Sequence, residues 1–270
     1  MRMQTSSPPC GGASAPPAGS AVSAPIIGTA GWSLPANLAG EFGEGASALE
    51  RYATRFRGVE INSSFYRSHR PETWARWAES VPANFRFSVK LPKIISHQRK
   101  LVDCSGDLAR FLGEVGGLGA KLGALLLQLP PKLTFEARVA ETFLSEAGGR
   151  CAATLVCEPR HPSWFEPQAD AMLKRLGIPR VAADPAPVAA GAVPGGSRHV
   201  SYWRLHGSPH MYRSTYNDGR LEHYAALLQA DHEAGRTAWC IFDNTASSAA
   251  IHDALGVDAI TKALTAGAPA

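Results

Sequence analysis

The chain reads as an α/β protein, a (β/α)8 barrel of the TIM type in which the helix after the sixth strand is replaced by a loop. Three observations predict it. From Pro25 onward, short apolar runs alternate with amphipathic helical stretches, a rhythm that means parallel strands joined by helical crossovers. Eight such units fit into about 240 residues, an ordinary size for a closed barrel. An open doubly wound sheet, the alternative architecture, usually carries a Gly-rich phosphate loop after its first strand. Neither G-x-G-x-x-G nor G-x-x-x-x-G-K-[ST] stands there.

The elements follow in order. "PIIGTAGW" (25–32) is a strand and 46–56 an amphipathic helix; "GVEINSSF" (58–65) is a strand. The helix of 71–81 places Pro71 in its first turn, where a missing N–H costs nothing. Strands at 85–92 and 122–130 alternate with helices at 107–118 and 137–149, the second ended by glycine. The strand of 153–160 leads to a helix at 168–177, and 179–185 is a short strand. After it comes only the Pro/Gly loop "APVAAGAVPGGSR". The strand of 199–207, the helix of 221–235, the strand of 238–244 and a helix from about 246 to 263 complete the set.

Of the 270 residues, 45% are apolar and 19% charged, which supports a large core. The net charge of +4 and pI of about 8.9 permit an anionic partner without demanding one. The five cysteines are odd in number and form no C-x-x-C. Cys151 and Cys157 flank one strand, roughly 20 Å apart at ~3.3 Å per residue, too far for a disulfide. The thiols read as reduced and the compartment as cytoplasmic. Residues 1–24 are Ser, Ala, Pro and Gly with almost no charge and no apolar h-region, a disordered tail before a single domain over 25–265. No run is long enough to span a membrane.

In such a barrel the C-terminal strand ends and the loops beyond them form the active face. The strands here end in polar or special residues: Trp32; Asn62 and Tyr66; Lys90; Gln128; Glu158 and Arg160; Asp184; Arg204 and His206; Asp243 and Asn244. Residues two apart share a face of a strand. Glu158 therefore goes with Arg160, Arg204 with His206, Lys90 with Ser88, Asp184 with Ala182, and Glu60 with Asn62. Each charged set is opposed by a mainly apolar one suited to helix packing, which turns the charges inward. For the last strand, Asp243 and Asn244 are equally eligible.

These stretches resemble the YecE-like family, also called domain of unknown function 72. The resemblance covers nearly the whole chain after Pro25. It is carried by "IGTAGWSLP", "VEINSSFYRSHRPETWARWAESVPANFRFSVKLPKIISH", "LGALLLQLPP", "EPRHPSWF", "YWRLHG" and "FDNTASSAA". Pro159 stands where the family often has an aromatic, and "FDNT" where it often has "FNND". The resemblance implies a TIM-type barrel and supplies no activity; a likeness to divalent-metal barrels is a fold-level analogy.

Chemistry is therefore read from the residues. Arg67, Arg70, Lys93, Arg99, Lys100 and Arg213 fall in loops of the active face, interleaved with aromatic rings. That mixture suits a small anionic ligand or nucleic acid: a nucleotide, a nucleic acid end or a sugar phosphate. Lys90 and Arg160 are placed to hold the anion. Arg204, Asn62, Tyr66, Gln128, Trp32, His161, Trp164, Tyr212 and Asn244 are the other candidate binding residues. Glu158 is the candidate base and His206 the candidate acid, with Asp184 a third candidate catalytic residue. Glu158, Asp184, His206, Glu60 and Asp243 are candidate ligands for one Mg, Mn or Zn ion. The competing arrangement is an ion-pair lattice joining Glu158 to Arg204, and Glu60 to Lys90 or Arg160. A metal-assisted phosphate-ester hydrolase is the leading expectation. A non-catalytic nucleic-acid or nucleotide binder and a sugar isomerase or epimerase are the alternatives.

Overall fold

The computed structural model describes residues 24–267, so the expected tail at 1–24 lies almost wholly outside the described residues. The strands close on one another as a parallel ring. β1 (Ile26–Thr29) is followed round the cylinder by β2 (Gly58–Ile61), β3 (Arg86–Lys90), β4 (Leu122–Gln128) and β5 (Thr154–Glu158). The sixth strand comes in two pieces, β6 (Pro179–Arg180) and β7 (Ala182–Asp184). Val181 between them still donates its N–H to the Cys157 carbonyl at 2.8 Å. β9 (Val200–Leu205) pairs with β7 and β10, and β10 (Thr237–Phe242) returns to β1. The seam between β1 and β2 is stitched by the Ala30–Glu60 bridge. This is the (β/α)8 barrel that the alternation predicts.

The helical layer consists of α1 (Ala48–Tyr52), α2 (Ser63–Tyr66), α3 (Pro71–Glu79), α4 (Ser105–Val115), α5 (Ala137–Gly149), α6 (Pro167–Arg175), α7 (Asp218–Glu233) and α8 (Ala249–Gly267). α3 starts on Pro71 as expected. α7 begins three residues early, because the Asn217 side chain accepts the Arg220 N–H at 3.0 Å and caps it. The expected start of the last helix near 246 is a 3-10 turn, Thr245–Ser247. Ser248 then adopts a left-handed conformation (φ 62°), and α8 begins after it. α2 was not expected as a helix. β2 stops at Ile61, and Ser64 Oγ donates to the Lys90 carbonyl at 2.7 Å, tying this single turn to the end of β3.

No α-helix joins β7 to β9. The segment holds a 3-10 turn, Ala189–Ala192, and a two-residue strand β8 (Gly195–Gly196) that pairs antiparallel with β6. Buried Arg180 pins this loop by donating to the Ala190 carbonyl at 2.8 Å. Asp170 on α6 accepts the Gly196 N–H at 2.9 Å.

Two apolar cores result. The larger lies between sheet and helices. The smaller fills the cylinder: Ile26, Leu126, Val156, Val181, Tyr202, Trp239 and Ile241, with smaller neighbours. Trp239 fits at the base because Gly58 and Gly123 face it; a Cβ at Gly123 would stand 2.8 Å from the indole. Above this plug the lumen turns polar, and there the charged residues sit.

Candidate functional site at the barrel mouth

Arg204 of β9 is the hub. The lumen-facing parity of β9 is set by Val200 and Tyr202, both members of the inner core, and Arg204 is next along that face. Its guanidinium forks onto Glu60 of β2, with Nη2 donating to Oε1 at 2.7 Å and Nε to Oε2 at 3.0 Å. Nη1 donates to Glu158 Oε2 of β5 at 2.6 Å, and Nη2 also donates to Asp243 Oδ2 beyond β10 at 2.9 Å. One arginine thus gathers three carboxylates, two from strands β2 and β5 and one from the residue after β10, in charge-assisted geometry. Tyr202, one layer below, donates to Glu60 at 2.9 Å and lies 2.7 Å from Ser88 Oγ.

His206 bridges two of the same acids. Nδ1 lies 3.1 Å from Asp243 Oδ2 and Nε2 lies 3.2 Å from Glu158 Oε1. Arg160 pairs with Glu158 and brings Nη2 to 2.7 Å from His206 Nε2. A guanidinium only donates, so that contact requires a lone pair on Nε2 and the ring proton on Nδ1, given to Asp243. Three acids (Glu60, Glu158, Asp243) then face three bases (Arg204, Arg160, Lys90), and the cluster is balanced with a neutral imidazole.

Burial and pairing set the protonation states. Burial alone would raise the Glu158 carboxyl, but Arg204 and Arg160 hold it well below the usual carboxylate range. Burial likewise opposes ionisation of Asp243, and Arg204 and His206 reverse the effect, leaving it lowered. Lys90 is lowered, first by burial and then by Arg204, against the pull of Glu60, Glu158 and Asp243. Its ammonium makes no ion pair among the described residues and lies 4.4 Å from the centre of the Phe65 ring.

Access is graded. Glu60, Glu158, Arg204 and His206 are fully buried. Arg160 and Asp243 keep 11% and 13% of their side chains exposed, and Lys90 is half-buried. Tyr212, on the loop after β9, sets its ring edge-on to His206 at 5.6 Å and is 42% exposed. A molecule entering the mouth therefore meets Lys90, Arg160, Asp243 and Tyr212 before it reaches Glu158 or His206. Asn62 precedes α2 with its Oδ1 buried and unpartnered, as is Arg160 Nε. Gln128 ends β4 in register with Glu158, on the strand face that carries Leu126.

Other expected site residues lie elsewhere. Asp184 does not face the lumen: it pairs with Arg220 and accepts the Tyr224 hydroxyl at 2.9 Å, both on α7. Val181 belongs to the inner core and Ala182 to the outer one, so the sixth strand has the opposite parity from that expected. Asn244 is turned outward too, donating to Asp253 of α8 at 2.6 Å, which leaves Asp243 as the inward residue. Trp164 is buried in the 3-10 turn Pro162–Phe165, donating to the Leu133 carbonyl at 3.0 Å and packing on Phe135. His161 caps that turn through Ser163. Trp32 packs edge-on against Trp77 of α3 at 5.1 Å, and Tyr66 is 72% exposed at the rim.

The five candidate metal ligands do not fit an ion. Arg204 occupies the space where Glu60, Glu158 and Asp243 converge, and Asp184 lies on another face. Among the described residues, no group of three or more His, Cys, Asp or Glu side chains is arranged to hold one. The pairing partners differ from those expected in one respect: Glu60 takes Arg204, not Lys90 or Arg160.

Comparison with known proteins places this architecture. The family described as "Protein of unknown function DUF72" matches residues 26–268. The chain belongs to the DUF72 family. A relative named UPF0759 protein YecE, from Escherichia coli strain K12, is 35% identical over 154 residues, 54% of this chain and 55% of that one. The chain thus aligns with about half the length of this relative. A DUF72 family crystal structure from Enterococcus faecalis superposes with a TM-score of 0.75 at 20% identity, covering 88% of this chain and 95% of that one. Another, from Thermotoga maritima, gives 0.72 at 21%, covering 90% and all of that chain. At such identities the likeness is one of fold. Among the described residues, no helix is long and apolar enough to cross a membrane.

Proposed function

We propose that the barrel mouth of this DUF72 protein binds a phosphate-bearing ligand, a sugar phosphate, nucleotide or nucleic acid end, held by Lys90 and Arg160. One observation carries this reading. Lys90 is half-buried with no carboxylate partner, while the three acids nearest it are taken up by Arg204, Arg160 and His206. A desolvated ammonium whose balancing carboxylates are all bonded to other cations is costly, because no direct ion pair offsets its burial. An incoming anion removes that cost, and it gives the buried, unpartnered Nε of Arg160 an acceptor.

When Arg160 turns to the anion, Nε2 of His206 is uncovered, while Asp243 keeps the ring oriented. As water adds to phosphorus, Nε2 of His206 takes its proton; the ester P–O bond then breaks and the imidazolium passes that proton to the leaving oxygen, which restores the neutral ring. Glu158 and Arg204 position these groups and touch no ligand. No step passes through a metal.

The test is calorimetric titration with inorganic phosphate and glycerol phosphate, joined to a turnover screen of phosphomonoesters with and without Mg, Mn or Zn. Saturable binding that Lys90→Met abolishes is the expected result. Binding unchanged in that variant overturns the assignment, and binding without turnover removes the hydrolase half alone.

A further inference from the structure

Beside the mouth lies a cavity of about 210 Å³ that the chemistry above does not use, enclosed by α2, α3, α4 and the π-helical turn Ile94–Gln98. Its walls are aromatic: Phe65, Tyr66, Trp74 and Phe111 line it. The rim carries Arg67 and Lys93, both exposed and neither with a carboxylate partner among the described residues. Of the two acids lining the cavity, Asp107 is already neutralised by Arg99 and Arg110, each at 2.7 Å, while Glu114 makes no ion pair among the described residues, so Arg67 and Lys93 still leave the cavity with positive charge in excess. Fully buried Trp74 has an indole N–H with no acceptor.

The backbone here is unusual as well. π-turns are rare and concentrate at functional sites. This one gives Ile94 and Gln98 to the cavity and is followed by Lys100, Leu101 and Asp103, all with positive φ. Such conformations cost free energy that a merely connecting loop need not spend.

We infer that this cavity is a second binding site, for a small planar aromatic anion whose ring lies against Phe65 and Tyr66, over the buried Trp74 and Phe111, and whose negative group meets Arg67 and Lys93. Flat aromatic walls favour a flat ring, in offset-stacked or edge-on contact. Two unpaired cations at the opening favour a phosphate or carboxylate substituent. The volume admits one ring system, not an oligomer. The site is separate from the mouth, although Phe65 belongs to both, since its ring also carries Lys90.

The experiment titrates the full chain with two ring-bearing anions, adenosine monophosphate and indole acetate. Indole and inorganic phosphate serve as controls, each lacking one half of the recognised chemistry. At least one ring-bearing anion binds saturably, more tightly than either control. That binding persists in Lys90→Met, where the mouth no longer takes phosphate, and in that background its affinity falls at least tenfold when Arg67→Glu and Lys93→Glu are added, both side chains being exposed and unpaired. Which anion binds tells whether phosphate or carboxylate is preferred. The inference is overturned if neither anion binds, if the two added substitutions leave the affinity unchanged, or if indole binds as tightly as the anions. Loss in Lys90→Met alone also overturns it, because the ligand then sits in the mouth.

Discussion

Nη2 of Arg160 lies 2.7 Å from Nε2 of His206 while pairing with Glu158, so a single guanidinium nitrogen decides which face of the imidazole carries a proton. Arg160→Met removes that donor and leaves Nε2 opposite Glu158 Oε1 at 3.2 Å. The expected outcome is loss of the single fixed tautomer, the ring proton being shared between Nδ1 facing Asp243 and Nε2 facing Glu158. Nitrogen-15 chemical shifts of the imidazole at neutral pH measure this directly. A ring already doubly protonated in the unaltered protein would contradict the assigned tautomer.

Arg204→Met strands Glu60, Glu158 and Asp243 in a dry lumen. Removing one partner of a buried ion pair typically costs about 3–5 kcal/mol, and here three acids lose the same partner. Urea denaturation should therefore show a loss at or above that range. Arg204→Lys should not rescue it, since an ammonium cannot reproduce the fork onto Glu60. Near-normal stability in either variant would remove Arg204 from its central place.

Lys90→Met should raise stability while abolishing phosphate binding. The lysine is lowered from its ordinary value, so the folded state holds its proton less well than the unfolded chain does. At neutral pH its charge is then a net cost to folding, which methionine relieves. A thermal melt reads the first effect and calorimetry the second. A variant that melts lower argues against an unpaired ammonium.

Glu158 and Asp243 set the acid limb of stability. Both are lowered from the ordinary carboxylate values of ~4. As pH falls, the unfolded chain binds protons first. Their contribution is complete above that ordinary range and drains away as pH drops from it toward the lower native values. Glu158→Gln should be less stable at neutral pH and fall less steeply with acid, as followed by melting temperature against pH. An acid limb parallel to that of the unaltered protein would count against the pairing.

Asp184→Asn should weaken the hold on Arg220 and Tyr224, lowering stability by about 1 kcal/mol. Phosphate affinity should not move, because this carboxylate faces α7. A selective loss of binding would restore Asp184 to the mouth.

The directions of Glu158, Arg160, Arg204 and His206 are legible in the sequence because their alternates, Cys157, Trp203 and Leu205, are plainly helix-facing. The sixth strand offers no such contrast, since Val181, Ala182 and Ala183 are all small and apolar. Asp184 is drawn outward by Arg220 and Tyr224, which lie 36 and 40 residues away along the chain. Asn244 is claimed in the same way by Asp253. Trp164 and His161 resemble rim residues by position alone. Only tertiary packing reveals that the turn after β5 folds inward onto Phe135. Ser88 and Tyr202, which support Glu60, carry no sequence signal beyond their strand parity. The π-turn likewise leaves no periodic trace.

The indole of Trp239, admitted by two glycines, stoppers the cylinder from below. Traffic through the polar chamber is consequently one-ended: whatever arrives past Tyr212 must depart by the same doorway. Arrival and departure cannot be divided between two openings, so a slow exit would hold up the next guest.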